Sequence, residues 1–203
     1  MKSLTTAIKQ NKQLRIIGFD DAPFNHTRGS LVNIAGIVCS GTKMEGMLWC
    51  EAQKDGTDAT NAIINALKPS KFYQQIHAVL IDGIAIGGFN VIDLNKLSQE
   101  LNLPCISVMR KEPDLSAIET ALNNFEDGKE RWQLIKDAGE IYYHENIQTK
   151  ITSKFYYQVS GCTPDIAAKV LERTTENSSI PEALRLAHLI GAAIKTGQSS
   201  NSA

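Results

Sequence analysis

The 203-residue chain has little of several things, and each shortage excludes something. No apolar run approaches the ~20 residues that a membrane helix requires, so no span is expected. The N-terminus, Met1 to Thr6 followed by the polar Lys9-Gln10-Asn11-Lys12-Gln13, lacks the apolar core of a secretion signal, and a cytoplasmic protein is expected. The four cysteines, Cys39, Cys50, Cys105 and Cys162, lie far apart with no CxxC pair and no nearby CxxH, which argues against structural zinc and a disulfide framework. There is no surplus of positive charge. A formal net charge of -1 gives no compositional argument for nucleic acid, so any phosphate affinity has to come from a local patch or from bound cations. No P-loop, GxGxxG after the first strand, HExxH or GxSxG turn is present.

The rest of the composition, 42% hydrophobic and 21% charged, is that of an ordinary globular domain. Leu14 to Asp20 reads as a first strand ending at an acid, Leu31 to Ser40 as a second, and Gly46 to Ala52 as a third after a Gly41-Thr42-Lys43 turn. Such short links make antiparallel pairs, because a parallel crossover needs a longer connection. The pattern then changes. A helix over Ala59 to Leu67 behind Asp58 precedes a buried strand, Ala78 to Asp82. A glycine-rich loop, Gly83 to Gly88, leads to a helix over Val91 to Leu101 and a buried strand over Pro104 to Met109. That alternation implies parallel neighbours. Helices are expected from Pro113 through Phe125, over Lys129 to Ala138, from Pro164 to Glu172 and from Pro181 to Thr196. Strands are expected over Ile141 to His144 and Lys154 to Val159. The organisation expected is one domain over residues 1–198 and a disordered polar tail over 199–203.

Asp20 and Asp82 end the first and fourth strands, and ligands of open sheets with a parallel part collect at the carboxyl ends of strands. If the two strands are neighbours, two carboxylates meet there, a natural site for a hard cation that keeps several waters. The blander reading of Asp82-Gly83 is turn chemistry. Asp58 is a helix cap on ordinary grounds. Arg110, after the fifth strand, stands at the same sheet edge, where a cation can hold a phosphate. His188 in the last amphipathic helix reads as packing or capping.

Four stretches together resemble a family: Gly18-Phe19-Asp20-Asp21-Ala22-Pro23-Phe24, Asp55 to Thr60, Ile81-Asp82-Gly83 with Gly88-Phe89-Asn90-Val91, and Pro181 to His188. That family is a domain of unknown function related to endonuclease V, whose members carry the name endonuclease dU. The resemblance covers about residues 14 to 198. Endonuclease V itself is similar more distantly and in the same order. The resemblance implies a ribonuclease H-like α/β fold: three antiparallel strands and then parallel ones in a mixed sheet flanked by helices. It also implies an endonuclease that uses Mg²⁺ or Mn²⁺ and acts on DNA, or RNA, carrying a deaminated base such as deoxyuridine. Asp20, Asp58 and Asp82 would hold metal, and Arg110 would stand where the other family has a lysine. Asp58 would replace a glutamate of endonuclease V. That family's strand-separating wedge and the His-containing run after Val-Asp-Gly are missing, and its late catalytic histidine is matched to Cys162 in Ser160-Gly161-Cys162. Two other readings stay open, a non-catalytic nucleic-acid- or nucleotide-binding domain of the same fold and an interaction protein with capped helices.

Overall fold

A computed structural model describes residues 4–146 and 153–199. Most of the expected tail therefore lies outside the described residues. Helix α1 (Leu4–Lys9) precedes β1 (Arg15–Asp21), β2 (Leu31–Ser40), β3 (Lys43–Gln53), α2 (Ala59–Leu67) and β4 (Ala78–Asp82). A small hairpin of β5 (Ala85–Ile86) and β6 (Asn90–Val91) occupies the glycine-rich segment. After it come α3 (Leu94–Leu101), β7 (Cys105–Met109), α4 (Leu115–Leu122), α5 (Gly128–Asp137), β8 (Tyr142–Asn146), β9 (Ser153–Ser160), α6 (Pro164–Thr174) and α7 (Glu182–Thr196).

The main sheet has seven strands in the order β3-β2-β1-β4-β7-β9-β8. The first three form the expected antiparallel meander, while β1, β4 and β7 run parallel at its centre. β9 returns antiparallel to β7 and pairs with β8. The fold is thus the mixed α/β sheet expected from the sequence. β4 and β7 bury nearly every residue because both of their faces are covered. Alternation along β1 sends Ile16 to a core shared with α1, α6 and α7, and Ile17 and Phe19 to a core shared with α2 and α3.

Two departures from the sequence reading have local causes. α1 was not expected; it is only six residues long and is held by burying Leu4 and Ala7. The helix expected from Val91 begins at Leu94, because Asn90 and Val91 pair with Ala85 and Ile86, and the Asp93 side chain caps it by accepting from the Lys96 amide.

Candidate active site

Parallel pairing aligns Ile16 with Ala78 and, at the far end, Phe19 with Ile81. Asp20 and Asp82 follow one step later on adjacent strands, so they project from the same face, the one that packs α7. The sheet therefore brings together the two acids that the sequence singled out.

Glycine lets α7 sit directly on β1. A Cβ on Gly18 would lie 2.8 Å from the carbonyl carbon of Ala183, and one on Gly191 would lie 3.2 Å from Ala22. Between these two close approaches, His188 Nδ1 lies 3.1 Å from Asp20 Oδ2. The reading of His188 as packing or capping is corrected here: it is a member of the cluster. Cys162, matched in sequence to a late histidine, follows the carboxyl end of β9. Because β9 runs against β7, that position is at the opposite end of the sheet. The helix itself is fixed at its start by the nearly fully buried Glu182, which takes the Asn177 amide at 2.9 Å and Arg185 Nε at 2.8 Å. The periodicity of buried Ala183, Leu184, Ala187 and Ala192 carried the signal for His188, since that side chain borders the helix's buried stripe.

The electrostatics are those of an under-neutralised carboxylate pair. Burial pushes Asp82 up to about 6, the charge of Asp20 adds to it, and Arg110 and His188 pull it back. Arg110 Nη2 reaches Asp82 Oδ2 only at 3.4 Å. His188 is raised, first by its hydrogen bond to Asp20, while burial opposes the shift. Asp21 is also raised to about 6, by burial first, although its Oδ2 accepts the Gly87 amide at 2.6 Å.

Asp58 has a different setting. Its Oδ1 accepts the Gln53 amide at 3.1 Å and the Asn90 amide group at 2.7 Å, and its side chain makes no cap hydrogen bond to α2. Asn90, fully buried, takes over that capping task by accepting the Ala59 amide at 3.1 Å and also donates to the Gln53 carbonyl at 2.9 Å. Nearby, Arg131 is 4% exposed, grips Asp127 through two nitrogens at 2.8 Å and donates to the Asp55 carbonyl at 2.9 Å. Among the described residues, no three His, Cys, Asp or Glu side chains form a metal-holding group. The donor chemistry of Asp20 and Asp82 still suits a hard divalent ion: carboxylates from neighbouring strands share one face, and the charge of one raises the proton affinity of the other.

Comparison with known proteins agrees with this architecture. The family model described as endonuclease dU matches residues 12–195. A UPF0215 protein of Pyrococcus furiosus is 43% identical over 192 residues, covering 93% of this chain and 96% of that protein. The crystal structure of a protein of unknown function from Archaeoglobus fulgidus superposes with a TM-score of 0.80 at 33% identity, covering 90% of this chain and 98% of that one. Endonuclease V of Ciona intestinalis, solved in complex with a 24mer DNA containing an inosine followed by a ribo-adenosine, superposes with a TM-score of 0.58 at 16% identity. It covers 87% of this chain and 84% of that one, a likeness of fold. No helix among the described residues is long and apolar enough to cross a membrane.

Proposed function

Since the chain belongs to the endonuclease dU family, we propose that it is a metal-dependent endonuclease acting on DNA with a deaminated base such as deoxyuridine, with the Asp20–Asp82 pair at its centre. The observation that carries the proposal is the meeting of two carboxylates on adjacent parallel strands with a histidine from α7 against one of them. Asp20 and Asp82 would hold Mg²⁺ or Mn²⁺. When bound, such an ion supplies Lewis acidity toward a phosphate oxygen and lowers the pKa of a water.

The chain's own groups divide the remaining work. Asp20 orients the imidazole of His188 and stabilises its protonated form, so the ring can hold or release a proton beside the carboxylates. Arg110 is half-exposed and only loosely tied to Asp82, so its guanidinium can turn to a phosphate and grip two oxygens. Asp58 shapes the turn that starts α2. Residues 1–198 act as one domain in the cytoplasm, where the thiols stay reduced; the four cysteines are free.

The test is nicking of end-labelled duplexes containing uracil or hypoxanthine, with and without Mn²⁺, by the parent protein and by Asp82→Asn. Cation-dependent nicking by the parent and none by the variant is expected. Lesion-independent binding without nicking on either duplex would replace this reading with a non-catalytic nucleic-acid-binding domain of the same fold.

A further inference from the structure

The end of the sheet that carries the acids also carries an aromatic surface, on the opposite face. Met109 on β7 pairs with Tyr156 on β9, and Tyr156 with Tyr143 on the edge strand β8, so the three side chains make one cross-strand row. The two tyrosine rings have centroids 5.1 Å apart with their planes at 50°, and Tyr143 is 49% exposed. Cross-strand pairing explains why the rings touch each other. It does not explain why Tyr143 keeps so much apolar area in water. A cavity of ≈ 810 Å³ opens on this face, lined in part by Leu115, Trp132, Ile141 and Gln158, and Leu115 is itself 40% exposed.

Position links this surface to the candidate active site. Met109 is followed directly by Arg110, which reaches Asp82. Strands lie about 4.8 Å apart, so the backbone of Tyr156 is about 10 Å and that of Tyr143 about 14 Å across the sheet from that of Asp82, with the two rings on the other face. A nucleic-acid strand covers that distance in a few nucleotides. Leaving Asp82, it would pass over the ends of β4 and β7 beside Arg110 and the exposed Lys111, and arrive beside the exposed Lys154, which shares the face of Tyr156.

We infer that Tyr143 and Tyr156 form a stacking platform for unpaired bases of a DNA strand whose phosphate lies at Arg110, so that the favoured substrate has an unpaired flank. This inference rests on the nuclease proposal for the direction from which the strand arrives. Bases inside a duplex are covered by their own neighbours, whereas an unpaired base offers a face to an aromatic ring whatever its sequence.

Fluorescence anisotropy with a labelled oligothymidylate about a dozen nucleotides long, in EDTA at fixed salt, tests the platform separately from cleavage. Tyr143→Ala and Tyr156→Ala should each weaken binding about tenfold, within the range of base–aromatic stacking. Tyr143→Phe and Tyr156→Phe keep the ring and should bind like the parent, and a blunt duplex of the same length should bind all five proteins alike. Tyr143 is exposed, so its alanine variant remains informative even if Tyr156→Ala melts early. Parent-like binding by Tyr143→Ala, equal loss in the phenylalanine variants, or equal loss on the blunt duplex would overturn the platform. Tyrosine-dependent binding by a parent that never nicks would remove the nuclease proposal and leave the platform. Nicking by the parent with no tyrosine dependence would do the reverse.

Discussion

Two groups of acidic side chains stand at the same end of the sheet, and their surroundings treat them in opposite ways. Around Asp55 and Asp58, every carboxylate has backbone or side-chain donors. Burial pushes Asp55 up, but the hydrogen bond from Lys54, the Phe89 amide and the charge of Arg131 together hold it below the usual carboxylate range. Asp127 is lowered chiefly by its hydrogen bonds with Arg131. Around Asp20 and Asp82 the balance reverses: Asp82 and its neighbour Asp21 hold protons up to about pH 6, and the nearest full cation is 3.4 Å away on a half-exposed side chain. The satisfied network holds the β3–α2 turn and the β5–β6 hairpin together. The other, where each carboxylate also has a donor but burial and mutual repulsion outweigh it at Asp82 and Asp21, leaves binding capacity for an outside cation, which marks it as the functional candidate.

The largest expected effect separates the two groups by activity. Asp82→Asn keeps side-chain size and turn geometry but loses the charge, and should slow cation-dependent nicking on the order of a thousandfold, equivalent to about 4 kcal/mol. Asp58→Asn in the same single-turnover assay should stay within about twofold of the parent. A thousandfold loss at Asp58 would break the comparison. Next, Arg110→Ala should lower transition-state stabilisation by roughly 2–4 kcal/mol at fixed salt, and Arg110→Lys should recover part of it because charge survives although the planar fork does not. Equal rates for parent and alanine variant would remove this side chain from the mechanism.

A third effect belongs to the satisfied group and is read in stability. Asn90→Ala strips partners from the Gln53 carbonyl, the Ala59 amide and Asp58, and should destabilise the fold by about 2–4 kcal/mol, measured by urea unfolding. A loss well under 1 kcal/mol would show that water replaces those bonds freely.

The smallest effect is a gain, and its sign follows from the raised pKa of Asp21. Below about pH 3 the group is protonated in both folded and unfolded chains and carries no penalty. As pH rises from the usual carboxylate range to about 6, the unfolded chain ionises freely while the folded one resists, so stability is lost across that window. Asp21→Asn retains an oxygen acceptor for the Gly87 amide and should gain about 2–3 kcal/mol above pH 7 and almost nothing at about pH 3, in EDTA. A gain independent of pH would assign the effect to something other than charge burial.

The sequence made the local part of this site visible. Asp20 and Asp82 could be read because a buried strand that stops at an acid declares both its own end and its chemistry. Arg110 followed for the same reason. The element order also indicated the antiparallel-then-parallel sheet, because loop length decides between a hairpin and a crossover. What escaped depends on contacts made far along the chain. The Asp20 partner of His188 comes from a strand 168 positions earlier, through a helix seated by Gly18 and Gly191. Asp58 was read as the cap of α2 because Asn90, which accepts the Ala59 amide in its place, arrives from 31 positions away. Helix periodicity marks which residues face inward, but it does not say which strand they meet.

The seat of α7 on β1 also sets an order of events in the life of each molecule. A polypeptide is made from its amino end and domains gather as they emerge. Among the described residues, all nine strands precede α7 in the chain. At that stage Gly18 offers only bare backbone on the face where Ala183 will later rest, and Asp20 has no imidazole beside it. A chain interrupted before its last helix thus carries both strand-end carboxylates but not the imidazole that packs against one of them.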